Sequence, residues 1–380
     1  MSRFSATAAL LLLVGACGAS GPSQPPASDG QLGRANVRSA DRPFTVAEIA
    51  TFDLPWAMDF LPGSGVPLTN IALVTEKRGR LWLIDVATGE RQQVAGVPQV
   101  HVAGQGGLGD VVAHPGFAGN QRVYLSYVEA GPDDTSGAVV GYGRLVMGKG
   151  QPRIDGFKVI WRQEPKVSGG NHFSHRIAFA PDGSMFVSSG ERFKFDPAQD
   201  RKVDLGKIIH MTDEGQRIGG RFYTMGHRNV LGLSFAPDGR LWETEMGPRG
   251  GDELNLIVEG RNYGWPVVSY GTHYDGREIP DDHKSRGFEE PKAWWNPSIS
   301  PGALLIYSGD KFPQWKGDAL IGALSGQALI RVDIDGDKAT KAEQWDMGAR
   351  IRAVDQGPDG SVYLLEDGSG GRLLRLTPAA

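Results

Sequence analysis

The stretch GGNHFSHRIAFAPDGSMFVSSGE, Gly169–Glu191, puts His172 just ahead of a hairpin pattern and Glu191 just beyond it. A carboxylate that holds one ring nitrogen of a histidine fixes the tautomer and leaves the other nitrogen free as a base. For an isolated pair of this kind, a turn-capping histidine beside a solvated acid is the favoured reading. His175, three residues on, reads as structural. The sequence GHRN, Gly226–Asn229, offers a guanidinium and an amide together, suited to an anionic or carbonyl oxygen. A surface ion pair for Arg228 is the plain alternative. RIR sets Arg350 and Arg352 on one side of a strand, because side chains alternate with a period of two. Two like charges so placed call for an anion between them, so a polyanionic ligand is expected. In ETEMGPRGGDELN, Gly247-Pro248 forms a sharp turn with exposed carbonyls near Glu245, Asp252 and Glu253. Carbonyl and carboxylate oxygens are the ligands of hard cations such as calcium, although a solvated polar loop would read the same way. DIDGD, Asp333–Asp337, lacks the downstream glutamate of a calcium loop and is expected to be a turn.

What must position these residues is a repeated hairpin. Phe179-Ala-Pro-Asp-Gly183, Phe235-Ala-Pro-Asp-Gly239 and Gln356-Gly-Pro-Asp-Gly360 each precede an apolar strand. Looser copies begin at Phe60, Ala113 and Phe312. Six such hairpins at unequal spacing predict an all-β chain folded as a six-bladed β-propeller. The unequal spacing predicts long inserted loops, above all Gly247–Pro291. His172 and Arg228 each stand seven residues before the Phe of their hairpin, and Gln105 and Arg350 fall one residue from the equivalent place. Glu191 and Gly247 lie ten residues after the turn prolines. Starts of first strands and ends of second strands lie side by side in antiparallel hairpins. All six residues are therefore expected at one end of the propeller, in a shared concave mouth.

The 380 residues, 40% of them hydrophobic, suffice for a large core, and 54 glycines with 24 prolines favour turns over long helices. A net charge of −4 gives no footprint for nucleic acid. Residues 1–16 read as an export signal: Arg3, then the apolar run Ala6–Val14, then small residues. LVGAC resembles a bacterial lipobox, with Cys17, the single cysteine, as the lipidated first residue. Residues 17–42 read as a flexible tether and 43–380 as the propeller domain. A lipid-anchored protein facing the periplasm or cell envelope is expected.

GHRNVLGLSFAPDGRLWETEMGPRGGDELNLIVEGRNYGWPVVSYG resembles the signature of the soluble aldose sugar dehydrogenases that depend on pyrroloquinoline quinone (PQQ), the quinoprotein glucose/sorbosone dehydrogenase type. LPWAMDFLP, GQGGLGDVVAHPGF, GGNHFSHRIAF and RIRAVDQGPDGSVYLL carry the same resemblance, which spans Ala47 to about Leu376. It implies a six-bladed propeller that holds PQQ beside a calcium ion and oxidises aldoses at the anomeric carbon to lactones. His172 is then the base, Glu191 its acidic partner, and Arg228 and Asn229 the pair at the quinone carbonyls. Gly247 and Pro248 supply main-chain carbonyls to calcium. Gln105, Arg350 and Arg352 contact the cofactor. Asp252 lies near the substrate, and Trp294 and Trp295 near the aromatic wall of its pocket. The partners implied are an aldose, an unidentified electron acceptor and, through Cys17, a membrane. One departure stands out: GALSGQ has Ser325 where the family usually carries a lysine. That leaves two other expectations open: a non-catalytic propeller binding a sugar or a protein, and a calcium-dependent propeller lactonase.

Overall fold

The structure, a computed structural model, describes residues 42–63 and 70–379. The signal-like segment, Cys17 and all but the last residue of the tether lie outside the described residues. Within them the chain forms six antiparallel sheets. Their innermost strands are Pro55–Phe60, Leu108–Ala113, Ser174–Phe179, Val230–Phe235, Pro301–Ile306 and Ile351–Gln356, the first strands of blades 1 to 6. Each touches the next around a ring, and the sixth touches the first, so the molecule is a closed six-bladed propeller. Phe44–Asp53 closes it by pairing, as the outermost strand of blade 6, with Ser369–Pro378. No helix among the described residues is long and apolar enough to cross a membrane.

The hairpins fall where the turn chemistry puts them. Strands flank 180–184, 236–240 and 357–361, and a 3-10 turn at Pro313–Trp315 precedes Ala319–Ala323. Second strands such as Met185–Ser189 and Leu241–Glu245 are buried at every position, because blades cover both of their faces. Outer strands such as Arg91–Val94 are mostly exposed. Asp335 pairs with Lys338 across Gly336-Asp337, so DIDGD ends a strand and turns, as expected. The long insertion is shorter than its spacing implies. Asp252–Ile257 forms the third strand of blade 4, and the excursion runs from 258 to 292 before the outer strand Ala293–Trp295.

Two features shape the mouth. Every innermost strand carries a β-bulge at its start, for example between Ser174 and Ile177 and between Val230 and Gly232. A bulge re-aims side chains and raises local twist. Below the bulges, Arg176 ties the blades together across the axis. Its guanidinium bonds Asp110 Oδ1 of blade 2 (2.9 Å), Leu231 O of blade 4 (2.7 Å) and Gly302 O of blade 5 (2.8 Å). It also lies 4.0 Å from the ring centre of Trp56 in blade 1.

Candidate active site

The glycine pair ahead of His172 brings two blades together. A Cβ on Gly104 would meet Gly170 O at 2.4 Å, so only glycine permits this approach of the two loops. Gln105 N–H then donates to Gly170 O (2.6 Å), and His172 N–H donates to Gln105 Oε1 (2.8 Å). Beyond the strand, Glu191 Oε1 meets His172 Nδ1 at 2.5 Å, and both residues are buried. Glu191 Oε2 accepts the amides of Lys194 (2.5 Å) and Phe195 (2.6 Å), so the carboxylate is fixed from both sides. Burial pushes Glu191 up, but its bond to His172 and the amides outweigh that and hold it below the usual carboxylate range. Burial lowers the His172 pKa; Glu191 offsets part of this, and the Arg228 charge adds to the lowering. The ring is thus neutral at neutral pH, and among the described residues its Nε2 has no hydrogen-bond partner. His172, Ser174 and His175 on one side, and Arg192, Phe193 and Phe195 on the other, hold left-handed backbone at φ of 50° to 64°. Such strain concentrates at sites where the surroundings fix an otherwise unfavourable geometry.

Removing the Glu191 charge has a definite sign. In Glu191→Gln the contribution that raises the His172 pKa is lost. The acid limb of kcat/KM is expected to move to lower pH, with a lower plateau because the imidazolium loses its counter-charge. A pH–rate profile of the variant checks this; an acid limb unmoved from wild type refutes the pairing.

A cavity of about 340 Å³ opens at this mouth, and its lining includes Gln105, Asn229, Arg350, Arg352 and Asp367. His175 and Trp56 form part of its wall, stacked at 5.0 Å. Burial lowers His175 to about 3, its Nδ1 meets Ser126 Oγ at 2.7 Å, and Gly109 leaves room for the ring. It is structural, as its sequence position implied. A cleft of about 170 Å³ adjoins, lined by Phe193, Phe195, Arg228, Pro248 and Tyr274 among others. His172 itself lines neither space; its amide bonds Gln105, which borders the first, and Phe193, edge-on to the imidazole at 5.1 Å, borders the second.

Arg228 and Asn229 hang from one carboxylate. Glu245 Oε2 accepts both of their amides. Arg228 then reaches Met246 O (2.9 Å) and the Tyr274 hydroxyl (3.2 Å). Arg228 Nε and Asn229 Nδ2 are buried with no partner. Two adjacent orphaned donors fit the carbonyl oxygens of a quinone. Gly247 and Pro248 are buried, and no donor among the described residues reaches either carbonyl. Asp252 Oδ1 accepts Gly247 N–H (2.8 Å) and so sets the turn. Carbonyls oriented and unclaimed in this way suit a hard cation. Glu245 also joins Glu243 around His227, with donor atoms within 4.8 Å of one another. Burial works against charge on His227, but the two acids raise it to about 9, while burial and the Glu245 charge push Glu243 up to about 7.

Several expected residues are placed differently. Asp252 does not face a substrate: its Oδ2 accepts Ser298 Oγ, Ile299 N and Ser300 N, and the side chain is fully buried. Its work is to pin the Gly247 turn to the 298–300 loop. Trp294 and Trp295 border neither space. They sit on the outer strand of blade 4, where Trp294 stacks on Tyr270 at 4.5 Å and both rings lie near Lys341 of blade 5. The aromatic wall beside His172 is Phe193, Phe195 and Tyr274 instead. Arg350 and Arg352 do share a side, but Asp367 already stands between them, at 2.9 Å and 3.0 Å from their Nε atoms. Ser325 is exposed at the rim, its hydroxyl on Ser300 Oγ (2.8 Å). Lys77, on a turn of blade 1, lines the cavity and was missed, since TEKRGR looks like any charged hairpin turn.

Fold and site together define a six-bladed propeller with a buried histidine–glutamate pair at one mouth. The chain belongs to the glucose/sorbosone dehydrogenase family, whose model matches residues 52–375. It is 39% identical over 342 residues to the aldose sugar dehydrogenase YliI of Escherichia coli, covering 86% of this chain and 90% of that protein. The apo crystal structure of the soluble aldose sugar dehydrogenase from Escherichia coli superposes with a TM-score of 0.82 at 38% identity, over 88% of this chain and all of that one. The PQQ-bound aldose sugar dehydrogenase from Streptomyces coelicolor gives 0.71 at 26% identity, over 88% and 98%.

Proposed function

We propose that the protein oxidises aldose sugars at the anomeric carbon to lactones, using PQQ and calcium. The observation that carries this is the buried His172–Glu191 pair, tied through the His172 amide to Gln105 of the cationic cavity and packed edge-on against Phe193 of the aromatic cleft. His172 Nε2 takes the proton of the anomeric hydroxyl, and Glu191 stabilises the resulting imidazolium through Nδ1–H. When bound, PQQ supplies the electrophile that accepts the hydride from the anomeric carbon. Arg228 and Asn229 hold its carbonyl side through their orphaned donors, and Gln105, Arg350 and Arg352 line its seat. The Gly247 and Pro248 carbonyls would hold calcium, which would supply positive charge to the electrophile. Phe193, Phe195 and Tyr274 offer ring faces to the sugar and exclude water from the base. The lactonase alternative needs several carboxylates around a metal in this cavity, whereas Asp367, the carboxylate lining it, is held by two arginines. By sequence alone, the same reading tethers the protein to the periplasmic side of a membrane through a lipid on Cys17.

The test is reconstitution. Apo-protein is expected to oxidise aldoses with an artificial dye only when both PQQ and calcium are added. Absence of activity together with an unperturbed PQQ spectrum at saturating cofactor would leave a non-catalytic binding propeller.

A further inference from the structure

The cavity beside His172 carries more positive charge than its own residues neutralise. Lys77, Arg350 and Arg352 line it, and Asp367 is the carboxylate among its lining residues. Both guanidiniums bond Asp367, so the single anion is already shared. Among the described residues Lys77 has a neutral partner: its Nζ donates to Gly104 O. Burial lowers its pKa, and Arg352 lowers it further, although Asp367 acts the other way. His175 on the same wall is neutral and contributes no charge. A half-buried ammonium beside two guanidiniums and one shared carboxylate is an electrostatic debt that a ligand with several negative charges removes.

We infer that Lys77 is a cofactor-binding residue: its ammonium takes a carboxylate of the bound polyanion, in the cavity that Arg350 and Arg352 also line. This deepens the PQQ reading and rests on it for the identity of the ligand, PQQ being a tricarboxylate. The Gly104 contact gives the lysine a second consequence. Gly104 precedes Gln105, whose Oε1 accepts the His172 amide. A ligand carboxylate drawn to Lys77 is thus bridged to the loop that seats the base. The ammonium holds both a ligand oxygen and a main-chain oxygen, as three donors on one nitrogen allow.

The experiment titrates two probes, PQQ and benzene-1,3,5-tricarboxylate, into apo-protein with calcium present, by absorbance and calorimetry. Lys77→Gln is expected to weaken both by about ten- to a hundred-fold, the loss of one charge-assisted contact. Lys77→Arg, which keeps the charge, is expected to stay within about threefold of wild type. Lys77→Met, which keeps the aliphatic stem, replaces the amide variant should that fail to fold, as read by its unfolding midpoint. Neutral variants that bind both probes like wild type overturn the inference. If wild type binds the tricarboxylate in a Lys77-dependent way but not PQQ, the quinone reading falls and the anion socket stands.

Discussion

His172→Ala is expected to lower kcat for aldose oxidation by about 10²–10⁴-fold, while PQQ affinity stays near that of the wild type. The size follows from what the side chain alone provides. Among the described residues Nε2 has no hydrogen-bond partner, and Nδ1 is committed to Glu191 at 2.5 Å. No neighbour can take over, because His175, three residues on, is held near a pKa of about 3 and faces Ser126. Glu191 cannot substitute either, since its second oxygen holds the 194 and 195 amides. Those same amides keep Glu191 partnered in the variant, so the site does not collapse around a stranded charge. Left-handed backbone at position 172 costs alanine no less than histidine, so unfolding midpoints should be compared as a control. Single-turnover kinetics on reconstituted enzyme, with PQQ titrations alongside, check the split. Turnover close to wild type would remove His172 from the mechanism.

The parts of this site that were legible in the sequence are those governed by local chemistry. Pro-Asp-Gly turns announce hairpins, and counting back from them placed Gln105, Arg350 and Arg228 along two neighbouring cavity linings and His172 on Gln105, whose side chain its amide bonds. What was not legible depends on distant partners. Asp252 reads as an acid beside a polar loop; nothing near it announces that residues 298–300 arrive to bind both its function and its geometry. Trp294 and Trp295 read as a pocket wall, yet strand pairing with Asp252 and Glu253 carries them to the blade's outer edge. Phe193 and Phe195 look like ordinary loop residues until left-handed backbone turns them over the mouth. Asp367, seventeen residues from Arg350, supplies an anion that the RIR pattern left to a ligand.

Arg176→Met is expected to cost about 3–5 kcal/mol of stability, the usual penalty for stranding one partner of a buried ion pair. That corresponds to a fall in Tm on the order of 5–10 °C for a chain of this size. Asp110 is the stranded partner, and Leu231 O and Gly302 O lose their donor in the same step. Methionine fills similar volume against Trp56, so the loss reflects polar groups rather than a cavity. The pH dependence separates this cause from generic loosening. Burial raises the Asp110 pKa in the native protein; Arg176 and the Ile177 amide oppose it. Without Arg176 the native pKa rises further above its unfolded value. A group raised on folding favours the native state fully below its unfolded pKa and loses that contribution as pH climbs through the native one. Asp59 and Asp355 line the same far-side cavity and are raised as well, Asp355 to about 7, which adds like charge as pH increases. The deficit of Arg176→Met should therefore be larger at pH 8 than at pH 5, read as the difference in Tm from wild type at each pH. An equal deficit at both would mean that the guanidinium acts there through packing and carbonyl contacts alone, and that the Asp110 charge does not limit the closure of the ring.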